Sequence, residues 1–429
     1  MSRRKGKLKV GVISLGCSKN LVDTEVLLGK LKQAGAEFTN DPKKADTIII
    51  NTCGFINPAK EEAIDYILEY AGKKKVIVMG CLVERYKQEL IKEIPEVSAY
   101  FGTESWDEIL EFLGLEKVKE NKRILTTPRS YAYLKISEGC NRLCSFCAIP
   151  QIRGKYRSKP IEDLVEEAKW IAQQGVKEIC VVSQDTTYYG RDLYGKNAII
   201  KLLEKLEKIE GINWIRLLYL YPTDVSDDLI NYIAKSSKVL PYFDIPFQHV
   251  SSKILKSMRR GYDKNFVEKL IDKILHTIPD AVIRTSFIVG YPEESPKDFQ
   301  ELLEFVEKGY FYWVGVFSYS LEENTPAEVL GDRVSYEEKE RRKNALYEAQ
   351  NEVIQKKYKG LLGKKFKMLV DGYDEDLGIV PVGRLWFQAP EVDGVCYLET
   401  EWEVKEGELV DVLVKDFKEQ DLLVEFTCE

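Results

Sequence analysis

Residues 132–147 read AYLKISEGCNRLCSFC, a strand-length apolar run that turns directly into a loop carrying Cys140, Cys144 and Cys147. The run is the first of six. KEICVVSQ (177–184), WIRLLYL (214–220), YFDIPF (242–247), AVIRTSFIVG (281–290) and YWVGVFSYS (312–320) succeed it. Five of the six are followed by a helical pattern and the last by the charged run 336–358. Repeated βα units with right-handed crossovers make a barrel or part of one. A central partial (βα)6 barrel is therefore expected, with the cysteine loop at the C-terminal end of its first strand, where barrels carry their chemistry.

Upstream, Leu8–Leu15, Thr47–Ile50 (running into Asn51 and Thr52) and Lys75–Met79 are near-continuous Val/Ile runs, the pattern of parallel strands buried on both faces. Helical patterns at 21–31, at 59–70 behind Asn57-Pro58, and at 83–94 follow them, which predicts an N-terminal open parallel-sheet α/β domain. Downstream of Gly363, KKFKMLV, GIVPVGRLWF, VCYLET, LVDVLVKDF and LLVEFT alternate with turn signals at Asp371-Gly372, Asp393-Gly394 and Gly407. Five short period-two strands predict a C-terminal small antiparallel OB-like β-barrel. The boundaries are 1–120, 121–360 and 361–429, with a polar, proline-containing linker at 121–129.

The 429 residues include nine cysteines but only two histidines, His249 and His276. Sites needing several imidazoles are nearly excluded, and chemistry should fall to thiolates. The start, MSRRKGKLKVGVISLG, turns straight into a strand and lacks a signal-peptide cleavage pattern, and no run reaches the ~18 apolar residues of a membrane span. The expected setting is a reducing cytoplasm without membrane attachment, where cysteines read first as metal-binding or catalytic.

Cys140, Cys144 and Cys147 have C-x3-C-x2-C spacing. Three thiolates on one loop can hold three irons of a cubane cluster and leave the fourth open, as a catalytic metal requires. A zinc site lacks a fourth Cys or His within thirty residues, and unconnected core cysteines are the other reading. Cys17, Cys53 and Cys81 are dispersed, but each ends or follows a parallel strand, so they converge on one sheet edge. Beside them stand Gly16, Gly54 and Gly80, which would let backbone approach a second cluster closely. Cys180 and Cys396 lie within strands and read as packing residues, and Cys428 as inert.

The first spacing, with Phe146 before the third cysteine, resembles the radical S-adenosylmethionine enzymes. Together the three-cysteine α/β domain, the barrel and the small barrel resemble the methylthiotransferases over essentially the whole chain, the last being similar to their TRAM domain. The strings Gly16-Cys17-Ser18-Lys19-Asn20-Leu21-Val22-Asp23, Ser183-Gln184-Asp185-Thr186-Thr187, Pro246-Phe247-Gln248-His249 and Ala389-Pro390-Glu391-Val392-Asp393-Gly394 are similar to the RimO branch, which modifies an aspartate of small-subunit ribosomal protein twelve. The string Gly383–Gln388 departs from the commoner form. The alternatives are the MiaB-like branch, which modifies transfer RNA adenosine, and a non-catalytic iron–sulfur electron carrier.

The resemblance implies two [4Fe-4S] clusters, on Cys17/Cys53/Cys81 and Cys140/Cys144/Cys147, and two uses of S-adenosylmethionine. One molecule methylates a sulfur held at the first triad. Another is cleaved at the second, and its 5′-deoxyadenosyl radical takes hydrogen from the aspartate β-carbon, which then captures the methylated sulfur. Residues expected to hold S-adenosylmethionine are Phe146, Ser183, Gln184, Asp185, Arg216, Gln248 and Arg284. Tyr188 and Tyr189 are placed at the substrate opening, and His249 and His276 read as structural. An electron donor and a sulfur donor are implied as partners, alongside the ribosomal protein, free or on the ribosome. Residues 361–429 hold 7 Lys+Arg against 17 Asp+Glu, a net of −10 within a chain of −7. Such a module should repel bare RNA and favour a basic polypeptide.

Overall fold

The computed structural model describes residues 7–118, 122–374, 376 and 378–427. They fall into two compact units, one of residues 1–126, 139–141 and 148–155, the other of residues 127–138, 142–147 and 156–429.

In the first unit β1 (Lys9–Ser14), β2 (Glu37–Phe38), β3 (Thr47–Thr52), β4 (Lys75–Gly80) and β5 (Ala99–Phe101) form one sheet in the order β2-β1-β3-β4-β5, parallel throughout. The apolar runs are continuous because both faces are covered. Ile48, Ile50, Val76 and Val78 pack with Ala63, Ile67 and Leu82 on one face; Ile49, Ile77 and Met79 pack with Leu27, Leu31, Ile109 and Leu110 on the other. Helices α1 (Ser18–Gln33), α2 (Asn57–Tyr70) and α3 (Cys81–Glu93) occupy the expected places. Two further strands, β2 and β5, and the helix Trp106–Phe112 are additions, too short to display a period. After β1 the chain goes outward to β2 and returns to β3 on the other side. That reversal is a topological switch point, where open α/β sheets form their ligand crevice at the strands' carboxyl ends.

In the second unit β6 (Tyr131–Lys135), β9 (Glu178–Val182), β10 (Trp214–Leu217), β11 (Val239–Asp244), β12 (Val282–Val289) and β13 (Trp313–Ser318) form a parallel sheet in the order β13-β12-β11-β10-β9-β6. The intervening β7 (Ser137–Glu138) and β8 (Arg157–Ser158) pair as a small ribbon. β6 and β13 are not paired with each other, so the barrel is partial. The charged run after β13 is the helix Tyr336–Lys359.

The closing domain is a five-stranded barrel of β14 (Lys365–Tyr373), β15 (Pro381–Leu385), β16 (Cys396–Glu399), β17 (Leu409–Lys418) and β18 (Asp421–Phe426), in the cyclic order β14-β15-β16-β18-β17. Four pairings are antiparallel as expected, but β16 and β18 run parallel. A hairpin fixes β17 against β18, and closure then brings β18 beside β16 in the same direction.

This small barrel docks on the N-terminal ends of the parallel strands through the strings singled out above. Glu391 accepts from the hydroxyls of Tyr131 (2.7 Å) and Tyr133 (2.9 Å), and Asp393 from Tyr242 (2.5 Å) and Arg284 Nε (3.3 Å). Glu178, fully buried at the start of β9, pairs with Arg216 Nε and Arg384 Nη1, both at 2.6 Å. Arg384 also pairs with Asp371 (2.7 Å), and Arg216 donates to the Trp386 carbonyl (2.9 Å). Removing the shared partner strands a buried guanidinium. Glu178→Ala is expected to destabilise by about 3–5 kcal/mol, seen as a lower urea midpoint; an unchanged midpoint would mean that Arg216 finds another partner.

Candidate functional site

The three dispersed cysteines stand around the switch point. Cys17 is the N-cap of α1, Cys53 follows β3 directly, and Cys81 opens α3. Two of the three thiols therefore sit at helix N-termini, where the helix dipole favours thiolate. Side chains of α1 and of the β3 end brace the loops: Asn20 Nδ2 donates to the carbonyls of Leu15 (3.0 Å) and Thr52 (2.9 Å), and Thr52 Oγ1 donates to the Met79 carbonyl (2.7 Å).

Glycine is required here for loop-to-loop contact. A Cβ on Gly16, whose φ is +89°, would lie 2.7 Å from Cys53 Cβ, and one on Gly54 would lie 2.7 Å from Leu82 Cα. The glycines thus press the cysteine loops against one another, a more specific reason than closeness to a cluster.

Charge inside this set is shared. Crowding by protein atoms pushes the Cys17 thiol up, but the nearby Lys19, the backbone N–H groups of Asn20 and Lys19, and Arg153 outweigh it, so the net shift is downward. Burial drives Cys53 up and Cys81 up to about 12, and the negative charge of Cys17 adds to both. The raised Cys53 and Cys81 thiols keep their protons, and metal binding is what releases such protons. Among the described residues no three His, Cys, Asp or Glu groups close tightly enough for a single ion. A cubane takes its ligands at separate corners, a larger target than a single ion.

Arg153, unremarked in the sequence, is almost fully buried beside this triad. Its Nη1 donates to Asp23 Oδ2 at 2.6 Å, and its Nη2 to Asn20 Oδ1 and to Cys81 Sγ, the latter at 3.2 Å. It ends the short helix Ile149–Arg153, whose Ile152 packs with Ala148 against Cys81.

On the second loop Cys144 is buried and receives a hydrogen bond from Arg260 Nη1 at 3.1 Å. Arg260 also donates to Tyr262 Oη (2.8 Å) and the Pro246 carbonyl (2.7 Å). Ser145 ties the loop down: its N–H reaches the Met258 carbonyl (3.0 Å) and its hydroxyl the Ser257 carbonyl (2.8 Å). Phe146 packs against a cluster of Ile254, Met258, Tyr291, Tyr319 and Ala327. The Cys147 N–H closes a turn on the Cys144 carbonyl (3.2 Å), and the Cys140 N–H bonds the Gly154 carbonyl (3.2 Å). No disulfide involves the eight described cysteines.

The remaining expected residues divide. Ser183, Gln184 and Asp185 follow β9 at its C-terminal end. Gln184 Nε2 donates to Glu138 Oε1 (2.9 Å), while its buried Oε1 has no partner among the described residues. Asp185 accepts from Arg142 Nε (2.7 Å) and Thr187 Oγ1 (2.7 Å). Gln248 has a φ of +74°, a strained position for a residue with a side chain, of the kind that clusters at functional sites.

Arg216 and Arg284 are elsewhere. Both meet the small barrel, Arg216 at the Trp386 carbonyl and Arg284 at Asp393, and Arg284 also pairs with Asp244 of β11 (3.0 Å), so their charge is neutralised within the protein. Tyr189 is a core residue whose hydroxyl reaches the Lys159 carbonyl (2.7 Å), which corrects its placement at an opening. Tyr188 lies under the Arg191 guanidinium.

His249 Nδ1 accepts from the Ser251 N–H (2.9 Å), so Nε2 carries the proton toward Glu294 (3.2 Å), a structural arrangement. His276 is exposed on the helix Lys264–Thr277. Cys180 and Cys396 are buried in their strands, and Cys428 lies outside the described residues.

Three stretches match family models: residues 9–102 the uncharacterized protein family UPF0004, 134–306 the radical SAM superfamily, and 362–426 the TRAM domain. The chain is 63% identical over 97% of its length, and 96% of the relative's, to the ribosomal protein uS12 methylthiotransferase RimO of Aquifex aeolicus. It is 51% identical over 95%, and 96% of the relative's, to the protein of the same name from Sulfurihydrogenibium sp.. Among solved structures, the radical S-adenosylmethionine methyltransferase TsrM of Kitasatospora setae shares the fold at a TM-score of 0.56 and 13% identity, covering 76% of this chain and 75% of that one.

Proposed function

This chain belongs to the RimO family of ribosomal protein uS12 methylthiotransferases, and we propose that it adds a methylthio group to the β-carbon of an aspartate of uS12. It is a radical S-adenosylmethionine transferase using S-adenosylmethionine and [4Fe-4S] clusters. The single observation that carries the division of labour is the pair of cysteine triads, each one thiolate short of a closed four-thiolate shell. Cys140, Cys144 and Cys147 hold the cluster that binds and cleaves S-adenosylmethionine, and Cys17, Cys53 and Cys81 hold a second one. When bound, the clusters supply the reducing electron and a place for the sulfur that is transferred.

The protein's share is position. Arg260 and the Ser145 bonds fix the sulfur of Cys144 and the loop that carries it, and Phe146 anchors that loop by packing. Ser183, Gln184, Asp185 and Gln248 supply polar groups at the strands' C-terminal ends for S-adenosylmethionine, with Gln184 Oε1 a buried acceptor awaiting a donor. The Arg216 and Arg284 pairs instead hold the TRAM barrel.

Substrate attraction rests on the acidic surface, reduced from its sequence count. Asp371 and Asp393 are turned inward and Glu391 is tied to Tyr131 and Tyr133, which leaves exposed Glu399, Glu401, Glu403 and Glu408 to meet a basic ribosomal protein. No helix among the described residues is long and apolar enough to cross a membrane. The electron donor and sulfur donor are separate partners in this reading.

The test is mass spectrometry of ribosomal proteins and transfer RNA from a strain lacking the protein. The methylthio group is expected to vanish from uS12 with transfer RNA unchanged. Loss from transfer RNA with uS12 intact would overturn the assignment in favour of the MiaB-like reading.

A further inference from the structure

Arg153 has no place in the chemistry above, yet it touches a ligand of the Cys17/Cys53/Cys81 set through a directed hydrogen bond. Its guanidinium is forked. One nitrogen faces the Asp23 carboxylate at 2.6 Å and the other faces Cys81 Sγ at 3.2 Å, with Asn20 Oδ1 completing the second. The side chains of Arg153 and Asp23 are each 2% exposed, so water does not screen them.

Asp23 gives the buried guanidinium an ion-pair partner, and the sulfur bond is additional. The sulfur meets the positive end of an oriented pair, with the counter-charge on the far branch of the fork. Packing repeats the contact, since Ile152 and Ala148 lie against Cys81. Arg260 and Cys144 show the same device in the other unit, which marks it as a repeated feature.

We infer that Arg153 is a positioning residue that sets the reduction potential of the cluster on Cys17, Cys53 and Cys81, through its hydrogen bond to the Cys81 sulfur. The inference rests on the proposed role of that triad as a cluster site. Hydrogen bonds to ligating sulfur and nearby positive charge stabilise the form carrying the extra electron, so they raise the potential. Arg153 keeps this cluster easier to reduce than three thiolates alone would make it. Asp23 opposes Arg153, and Asn20 orients it.

The experiment is stepwise one-electron reduction of the full-length, cluster-loaded protein with dithionite, followed by electron paramagnetic resonance. The signal that responds to added S-adenosylmethionine belongs to the other cluster and serves as an internal reference. Arg153→Lys retains a charge for Asp23 but cannot fork to the sulfur. At the potential where the parent's second cluster is half reduced, its reduced-to-oxidised ratio should fall about tenfold, which is about 59 mV for a one-electron couple. Asp23→Asn keeps the sulfur bond and removes the opposing charge, so its ratio should rise. A purely structural Arg153–Asp23 pair leaves Arg153→Lys at the parent ratio.

Iron and sulfide analysis separates the two levels of the argument. Two clusters per chain with unshifted potentials in both variants would overturn the role of Arg153 and leave the triad assignment standing. One cluster per chain in the parent would overturn both. If Arg153→Lys fails to retain its cluster, Arg153→Gln decides: a potential below the parent's supports the inference, and no shift refutes it.

Discussion

Cys144→Ala is expected to abolish formation of 5′-deoxyadenosine from S-adenosylmethionine under anaerobic reduction, by at least about a hundredfold. Disturbing a mere supporting partner of a metal ligand already costs 10–100-fold, and here a ligand itself is lost. The site cannot heal around the deletion. Arg260 Nη1, 3.1 Å from the sulfur, is buried and would keep its other partners, Tyr262 and Pro246, while facing a methyl group. No fourth cysteine stands on this loop to replace Cys144. Iron content should fall by about half, because the Cys17/Cys53/Cys81 triad is untouched. The control is Cys180→Ala, which removes a thiol buried in β9 that holds no cluster in this reading, and it should cleave at the parent rate. Parent-level 5′-deoxyadenosine from Cys144→Ala would remove the loop from the chemistry and favour the electron-carrier reading.

The residues that act through chain direction were visible in the sequence, and those that act through packing were not. Cys17, Cys53 and Cys81 lie 36 and 28 residues apart, yet their convergence follows from one fact: adjacent parallel strands end on the same edge. The six barrel strands were readable for the same reason, since burial on both faces leaves continuous apolar runs. Arg153 and Arg260 were not, because an arginine 72 residues from Cys81 or 116 from Cys144 carries no local sign of its partner. Arg216 and Arg284 were legible only as polar residues within barrel strands. A polar residue in a barrel strand signals that something polar meets it there, but not whether that is a cofactor or Glu178 and Asp393. The parallel pairing of β16 with β18 escaped too, because alternation in a short strand identifies its buried face and says nothing of its neighbour. Similarly, the −10 of the last 69 residues was a correct sum whose inward-facing members, Asp371 and Asp393, only packing could reveal.

Cys53→Ala is expected to give the complementary result: 5′-deoxyadenosine within about twofold of the parent, and methylthiolated uS12 reduced by at least about a hundredfold. Cys53 is the cleanest of the three positions for this purpose. Cys81 anchors Ile152 and Ala148 and accepts the Arg153 bond, so its removal would disturb packing as well as ligation. Cys17 caps α1. Cys53 is only half-buried, follows β3 without belonging to it, and its Cβ, which alanine retains, is the atom that fills the space opposite Gly16. The fold therefore keeps its contact and loses only the sulfur. Two thiolates then remain where three stood, too few to hold a cubane with one open corner, while Cys140, Cys144 and Cys147 keep their full set. Cleavage and sulfur insertion should separate in one variant. Equal loss of both in Cys53→Ala, with iron still bound at the second triad, would mean that the first triad serves cleavage itself, and the division of labour between the two would have to be abandoned.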